Sequence, residues 1–556
     1  MKSIYHILLI TFIIIFQKEV VCQTSNDLKF VHYTRRNQLF GKVNDSISFI
    51  IPFNYKFQNQ NIDNFFIGEK YNLKVKASDE IRIFAISKKD NYTTHHPIEI
   101  NNDGNPATVG YQTILQSGIY IKRGRFDFQT RPKFFFAENK KYETFYTNHD
   151  DITWRDYYEW INRIDNPEMF GANPISKISL SNTSFGYTYK KIKIELTNKN
   201  MWWGPGYHQT LLMTNNADGF INVNFSTTKP IKLDFGNLEW QFASGLLNNS
   251  RIEPLESRRV YKGEFLYQPK PNSRRIFTGG IVTIEPKITP GLFVGFTKAS
   301  YSYLKNSKSI LDYIPLFGTL GTKLTNAEKN NYKKMMGSVF FRYLMKKDNA
   351  EIYAEYGRND KTINPLFFLE KESIPSGLII GIKKLIHLDD KKFIDIGFEY
   401  TDLSLKDIYQ IKNIKSWYID DSTRHGYTNN GKVIGSGIGP GGESQLIEVG
   451  INKGINRIGI QFERRVHNND FYYYSFERIR DFRRHWVDLI TNFEIDLQYK
   501  NFLFGGKLTI ARTLNYQWFY QEYEPILDGN SYYKNGLDYM TVQGGLYVHY
   551  LLNLKK

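Results

Sequence analysis

The sequence predicts an all-β fold, a transmembrane antiparallel β-barrel of about 16–18 strands with loop or plug helices. Three observations carry that prediction. Segments such as Lys191-Ile192-Lys193-Ile194-Glu195-Leu196 alternate polar and apolar residues over the length of a strand, the pattern of a sheet with one apolar face. Aromatic residues make up 16% of the chain, with 39 Tyr and 41 Phe, while charged residues are an ordinary 23%. After the amino terminus no apolar stretch approaches the about 20 residues of a spanning helix. A mean hydropathy of −0.46 is compatible with barrel strands, because only alternate residues face lipid. A large soluble all-β protein shares this composition; the strand-length dyads favour the barrel.

Taken in order, the chain opens with Lys2, the apolar run Ile4 to Phe16, and Val20-Val21-Cys22-Gln23. This reads as a secretory leader, residues 1–22, cleaved before Gln23. Cys22 is the single cysteine, so cleavage leaves no disulfide, cysteine nucleophile or thiolate metal site. Residues 23–77 read as an amino-terminal periplasmic segment, and residues 78–556 as the barrel. Further dyads run through Ile221-Asn222-Val223-Asn224-Phe225 and Phe493-Glu494-Ile495-Asp496-Leu497-Gln498-Tyr499. The last runs from Gly545 to Leu554, apolar or aromatic at 546, 548, 550, 552 and 554. One helix is expected from Asp151 to Ile164. Asp150 or Asp151 can cap it, and Trp154, Tyr157, Tyr158 and Ile161 recur at helical spacing. Residues 306–331 and the glycine-rich 424–442 read as long loops.

The densest motif is Asn200-Met201-Trp202-Trp203-Gly204-Pro205-Gly206, followed by Leu211 to Phe220. With Tyr92-Thr93-Thr94-His95-His96-Pro97, Gly110-Tyr111-Gln112-Thr113, Asn148-His149-Asp150-Asp151, Ala354-Glu355-Tyr356-Gly357, Arg424-His425-Gly426-Tyr427-Thr428 and Ile438-Gly439-Pro440-Gly441, it resembles the capsule assembly Wzi family. The resemblance implies an outer-membrane barrel of about 18 strands that binds capsular polysaccharide and helps hold it on the cell surface. It also implies an amino-terminal periplasmic helical region, whereas residues 23–77 look strand-like, as in Phe49-Ile50-Ile51-Pro52-Phe53.

Polysaccharide binding can be attached to particular residues. Trp202 and Trp203 offer flat faces to the C–H side of a sugar ring, and Asn215 and Asn216 offer donors and acceptors to hydroxyls. Arg424, His425 and Tyr427 offer similar contacts from the long loop. The competing reading is a tryptophan pair packed inside the barrel ahead of a Gly-Pro-Gly turn. The chain carries +17, or +16 without residues 1–22, which hold Lys2, Lys18 and Glu19. Clusters at Arg258-Arg259, Arg274-Arg275, Arg464-Arg465 and 478–484 favour an acidic polysaccharide or lipopolysaccharide phosphates as partners; the competing reading is that the lysine-rich composition of the whole chain reflects codon bias alone. Nucleic acid is not expected for an exported barrel.

No catalytic residues, cofactor or metal site are read from the sequence. Asp150-Asp151 and Asp420-Asp421 are adjacent, so on a strand each pair would point to opposite faces. His95-His96 lacks the helical spacing of a zinc pair. The run 435–442 lacks the strand-to-helix crossover of a nucleotide loop. A porin-like channel and a barrel-embedded lipid or glycan hydrolase remain the alternatives.

Overall fold

The computed structural model describes residues 21–23, 28–43, 46–48, 79–307, 313–315, 333–359, 376–389, 391–405, 416–476, 485–519 and 538–550. The run 49–53, most of 306–331, the cluster 478–484 and the tail 551–554 lie outside them.

Eighteen antiparallel strands close into a barrel. They are β1 Asp79–Thr93, β2 Gly110–Arg123, β3 Phe126–Ala137, β4 Ile175–Tyr189, β5 Ile192–Thr197, β6 Asn222–Thr227, β7 Gly236–Leu247, β8 Arg275–Pro286 and β9 Leu292–Tyr303. There follow β10 Lys334–Met345, β11 Ala350–Arg358, β12 Ser376–His387, β13 Lys392–Asp402, β14 Glu443–Lys453, β15 Asn456–Val466, β16 Val487–Tyr499, β17 Phe502–Leu514 and β18 Tyr539–Tyr550. Ile231–Leu233 continues β6 along β7, and Val21–Gln23 adds a short parallel pairing to β1. Each strand pairs with its sequence neighbours, and β18 returns to β1 with Ile86 opposite Tyr550 and Thr93 opposite Gln543. Closure removes the sheet edges, the condition for strands to cross a bilayer.

The strand alternation is inside-out relative to a soluble protein. On β13 and β14, Ile394, Ile396 and Phe398 pair with Ile451, Val449 and Ile447 on the outer face, where Ile447 and Ile451 are half exposed. The intervening Asp395, Glu399, Glu448 and Asn452 are buried in the lumen. An apolar exterior around a polar interior is the signature of a transmembrane barrel. Among the described residues no helix is long and apolar enough to cross a membrane; the strands make the crossing.

Tight turns at 124–125, 190–191, 454–455 and 500–501 lie at one end, with Gly124 and Gly454 at φ +59° and +63°, the backbone that short hairpins favour. The long loops 94–109, 138–174, 198–221, 248–274 and 403–442 lie at the other end. Residues 198–221 of one and 416–442 of another turn into the lumen. There Trp203, Leu211, Phe277, Trp417, Tyr427, Phe471 and Trp518 form one buried cluster, so the apolar core sits inside the barrel.

Among the described residues three α-helices accompany the strands: α1 Leu28–Leu39, α2 Asp151–Ile161 and α3 Asn469–Phe476. Asp150 caps α2, its carboxylate accepting from the Thr153 amide at 2.7 Å, and Trp154, Tyr157, Tyr158 and Ile161 are all buried. The helix therefore follows its sequence pattern and ends at Ile161. By contrast α1 departs from the strand-like reading of this segment. It is a helix lodged in the lumen, with Tyr33 to Leu39 buried.

Candidate functional site

The Trp-Trp-Gly-Pro-Gly motif forms the tip of loop 198–221, between β5 and β6. The Trp203 amide donates to the Met213 carbonyl at 3.1 Å, pinching the segment into a narrow finger. Gly204 sits at φ +145°, and a Cβ there would lie 2.7 Å from Glu355 Oε2, so only glycine suits the turn. Beyond it, the amides of Tyr207, His208 and Gln209 donate to one wall carboxylate, Glu399, at 2.8, 3.2 and 2.8 Å. Three successive N–H groups around an anion form a backbone nest. The Leu211 amide donates to Glu355 at 3.2 Å, and the Tyr207 hydroxyl donates to Glu351.

From the opposite side α1 completes the grip. The Arg35 guanidinium lies 3.6 Å from the centre of the Tyr207 ring, a cation–π stack. It also donates to the Gly206 carbonyl at 3.3 Å and pairs with Glu351 at 3.2 Å. Glu351 pairs in turn with Arg342 at 2.5 Å. The finger is thus held by wall carboxylates below and a helix beside it, and the lumen is plugged.

The expected binding residues fall within this plug. Trp203 is fully buried, donates its indole N–H to Gln241 at 2.8 Å and rests against Phe277 with ring centres 6.0 Å apart. A Cβ at Gly279 would come within 3.0 Å of its ring, so the wall is recessed where the indole lies. Trp202 is buried and donates to the Gly206 carbonyl at 3.3 Å. Asn216 donates to the Val433 carbonyl at 2.9 Å and accepts from the Asn101 amide at 3.3 Å, which ties three loops together. Asn215 is 1% exposed, and its side-chain oxygen has no hydrogen-bond partner among the described residues.

Loop 403–442 carries the other three. Tyr427 is fully buried, stacked on Tyr418 with ring centres 6.0 Å apart. His425 shares a hydrogen bond with the Tyr303 hydroxyl at 3.0 Å. Burial, reinforced by Arg275, Lys270 and Arg424, drives its pKa down to about 3, so it is neutral at ordinary pH. Arg424 alone remains half exposed; it donates to the carbonyls of Asn162, at 3.2 Å, and Gln268, fastening the end of α2 to loop 248–274. Six of the seven residues are buried together in the plug, and Arg424 alone reaches the surface.

Above the plug, α2 and α3 form the outer rim. The Tyr474 hydroxyl donates to Glu159 at 2.6 Å and Ser475 to Asp156 at 3.1 Å. Trp160, Tyr473 and Tyr474 are half buried, and Arg251, Arg258, Lys262 and Arg274 of loop 248–274 are exposed. Sequence reasoning passed over these rim aromatics because they stand in no motif. It also passed over Glu351 and Glu399 and gave no site role to Glu355, which stands in the Ala354–Gly357 block, although Glu351 and Glu355 are four apart on one strand and so share a face. His96 forms hydrogen bonds at 2.9 Å with Thr513 and Thr541, a buried histidine with both ring nitrogens in use.

Asp470 on α3 joins the rim to the plug. It accepts from the Leu405 amide at 2.7 Å and from the Ser416 hydroxyl, and burial pushes its pKa up to about 7. The folded state therefore holds a proton that an unfolded aspartate releases near pH 4, and stability falls as pH rises from about 4 to about 7. Relative to Asp470→Asn, the wild type is expected to gain protection of loop 403–442 against proteolysis as pH drops through that window. A pH-independent difference would contradict this.

A family profile described as capsule assembly protein Wzi matches residues 84–470. Among solved structures, the chain is similar to Wzi of Escherichia coli, reported as an outer membrane protein involved in group 1 capsule assembly and a carbohydrate-binding β-barrel. The identity is 11%, the TM-score 0.56, and 96% of this chain and 100% of that chain are covered. OpdQ of Pseudomonas aeruginosa aligns at 8% identity and a TM-score of 0.38, over 85% of this chain and 98% of that one. A comparison with curated proteins found no match.

Proposed function

This chain belongs to the capsule assembly Wzi family, and from that premise we propose that it is an outer-membrane protein that binds or attaches capsular or extracellular polysaccharide at the cell surface and supports capsule assembly. The observation that carries the reading is the family match running through both the barrel wall and the plug, residues 84–470. A plugged lumen favours attachment over passage. The reading is of binding without turnover.

In this account the long-loop end faces away from the cell, and the rim meets the glycan. Trp160, Tyr473 and Tyr474 supply ring faces to sugar C–H surfaces, while Arg424 and the exposed arginines of loop 248–274 attract acidic groups of the polymer or lipopolysaccharide phosphates. Trp202, Trp203, Asn215, Asn216, His425 and Tyr427 hold that platform from beneath. The experiment is binding of the purified protein to polysaccharide from the same cells. Replacing Arg251, Arg258 and Arg274 by Glu is expected to weaken binding at low salt and to remove most of its salt dependence. Unchanged binding would rule out the charged contact.

A further inference from the structure

The plug leaves part of the lumen open. A cavity of about 360 Å³ lies between α1 and the wall formed by β14 to β18, β1 and β2. α1 divides the lumen: Leu39 packs with Phe293, Leu344, Leu385 and Phe393 on one side, while Lys29, His32, Tyr33 and Arg36 line the cavity. Their spacing of three, four and seven residues places them on one helical face.

These four residues are not alike. The Lys29 ammonium pairs with Asp496 at 2.9 Å and donates to the Tyr547 hydroxyl at 2.7 Å. His32 shares a hydrogen bond with the Tyr207 carbonyl at 3.1 Å, and Tyr33 packs on Ile455 and Leu503. Arg36 is only 6% exposed, yet its guanidinium makes no hydrogen bond or ion pair among the described residues, and its Nε is buried without a partner. The nearby acids are committed elsewhere. Asp395 pairs with Lys383 at 2.8 Å and Arg457 at 3.2 Å, and Glu448 pairs with Lys383 and with Arg457 at 3.4 Å. An Nε–H buried without an acceptor is costly; an oxyanion with two acceptor oxygens, carboxylate or phosphate, is the group the donor fork fits.

The remainder of the wall includes neutral donors and acceptors, among them Asn91, Gln116, Asn492 and Gln543, suited to hydroxyl groups. The volume is within the range of small-molecule sites, about 300–1,000 Å³. We propose that this luminal cavity binds a small hydroxylated solute bearing a carboxylate or phosphate, with Arg36 taking the anionic group. The site is separate from the rim and does not depend on what the rim holds.

Calorimetric titration of the purified full-length protein with D-glucuronate, D-glucose 6-phosphate and D-glucose tests it. At least one of the two anions is expected to bind, and the anion that binds best identifies the oxyanion. Glucose is expected to bind at least about 10-fold more weakly, since a charge-assisted hydrogen bond is lost. Arg36→Gln should weaken the anion by about 10- to 100-fold, with Arg36→Lys between the two. Binding of neither anion, equal binding of glucose, or unchanged affinity in Arg36→Gln would overturn the proposal. The comparison of anion with glucose uses the wild-type protein alone, and repeating it with excess polysaccharide from the same cells separates cavity from rim: the anion affinity should be unchanged, and competition would place the anion at the rim and overturn the proposal.

Discussion

Trp203→Ala is expected to destabilise the plug by about 3–5 kcal/mol, the cost of emptying a fully packed tryptophan site. The indole is fully buried between the Gln241 side chain and Phe277, and loop 198–221 cannot collapse into the space because Glu399 and Glu355 fix its backbone on the far side. The wall keeps its own ladder of hydrogen bonds, so a heat-modifiable barrel should still form. Its unfolding midpoint should fall, and loop 198–221 should become sensitive to protease. If polysaccharide retention fell with no change in midpoint or proteolysis, Trp203 would be a sugar contact and the packing account would be wrong.

Glu351→Ala is expected to cost a further about 3–5 kcal/mol, the typical price of stranding buried charge. This carboxylate is shared by Arg35 of α1, Arg342 of β10 and the Tyr207 hydroxyl, so its loss leaves two guanidinium groups without their acid and loosens helix and finger together. Planar-bilayer recordings read the outcome: the wild type should conduct poorly, and Glu351→Ala should show larger, fluctuating currents. Because Gln keeps one acceptor, Glu351→Gln should fall between them. A variant as quiet and as heat-resistant as the wild type would show that the ion pair does not hold the plug.

The barrel was legible because lipid and lumen impose opposite chemistry on alternate residues. Lys191–Leu196, Ile221–Phe225 and Phe493–Tyr499 all alternate, and Ile192–Leu196, Asn222–Phe225 and Phe493–Tyr499 lie on β5, β6 and β16. Helix α2 was legible for the same kind of reason, since its buried face is apolar and aromatic and Asp150 marks its start. Helix α1 was not. A helix buried in a polar lumen carries Arg35 and Gln38 toward one wall and Arg36 toward the cavity, so no apolar stripe announces it.

The motif residues show a different limit. Tryptophan and asparagine side chains that suit a sugar also suit a buried packing site, and the choice between them was made by distant residues. Glu351 and Glu355 on β11 and Glu399 on β13 draw the finger inward. Nothing local to Trp202 and Trp203 encodes that. The rim aromatics Trp160, Tyr473 and Tyr474 belong to α2 and α3, which are far apart in sequence, and only the fold brings them to one surface.

Deleting the gene and measuring polysaccharide in the cell-bound and released fractions tests the attachment reading most directly. Total polymer is expected to be maintained while the released share rises, and the wild-type gene should restore the bound fraction. An unchanged partition between bound and released polymer would contradict it.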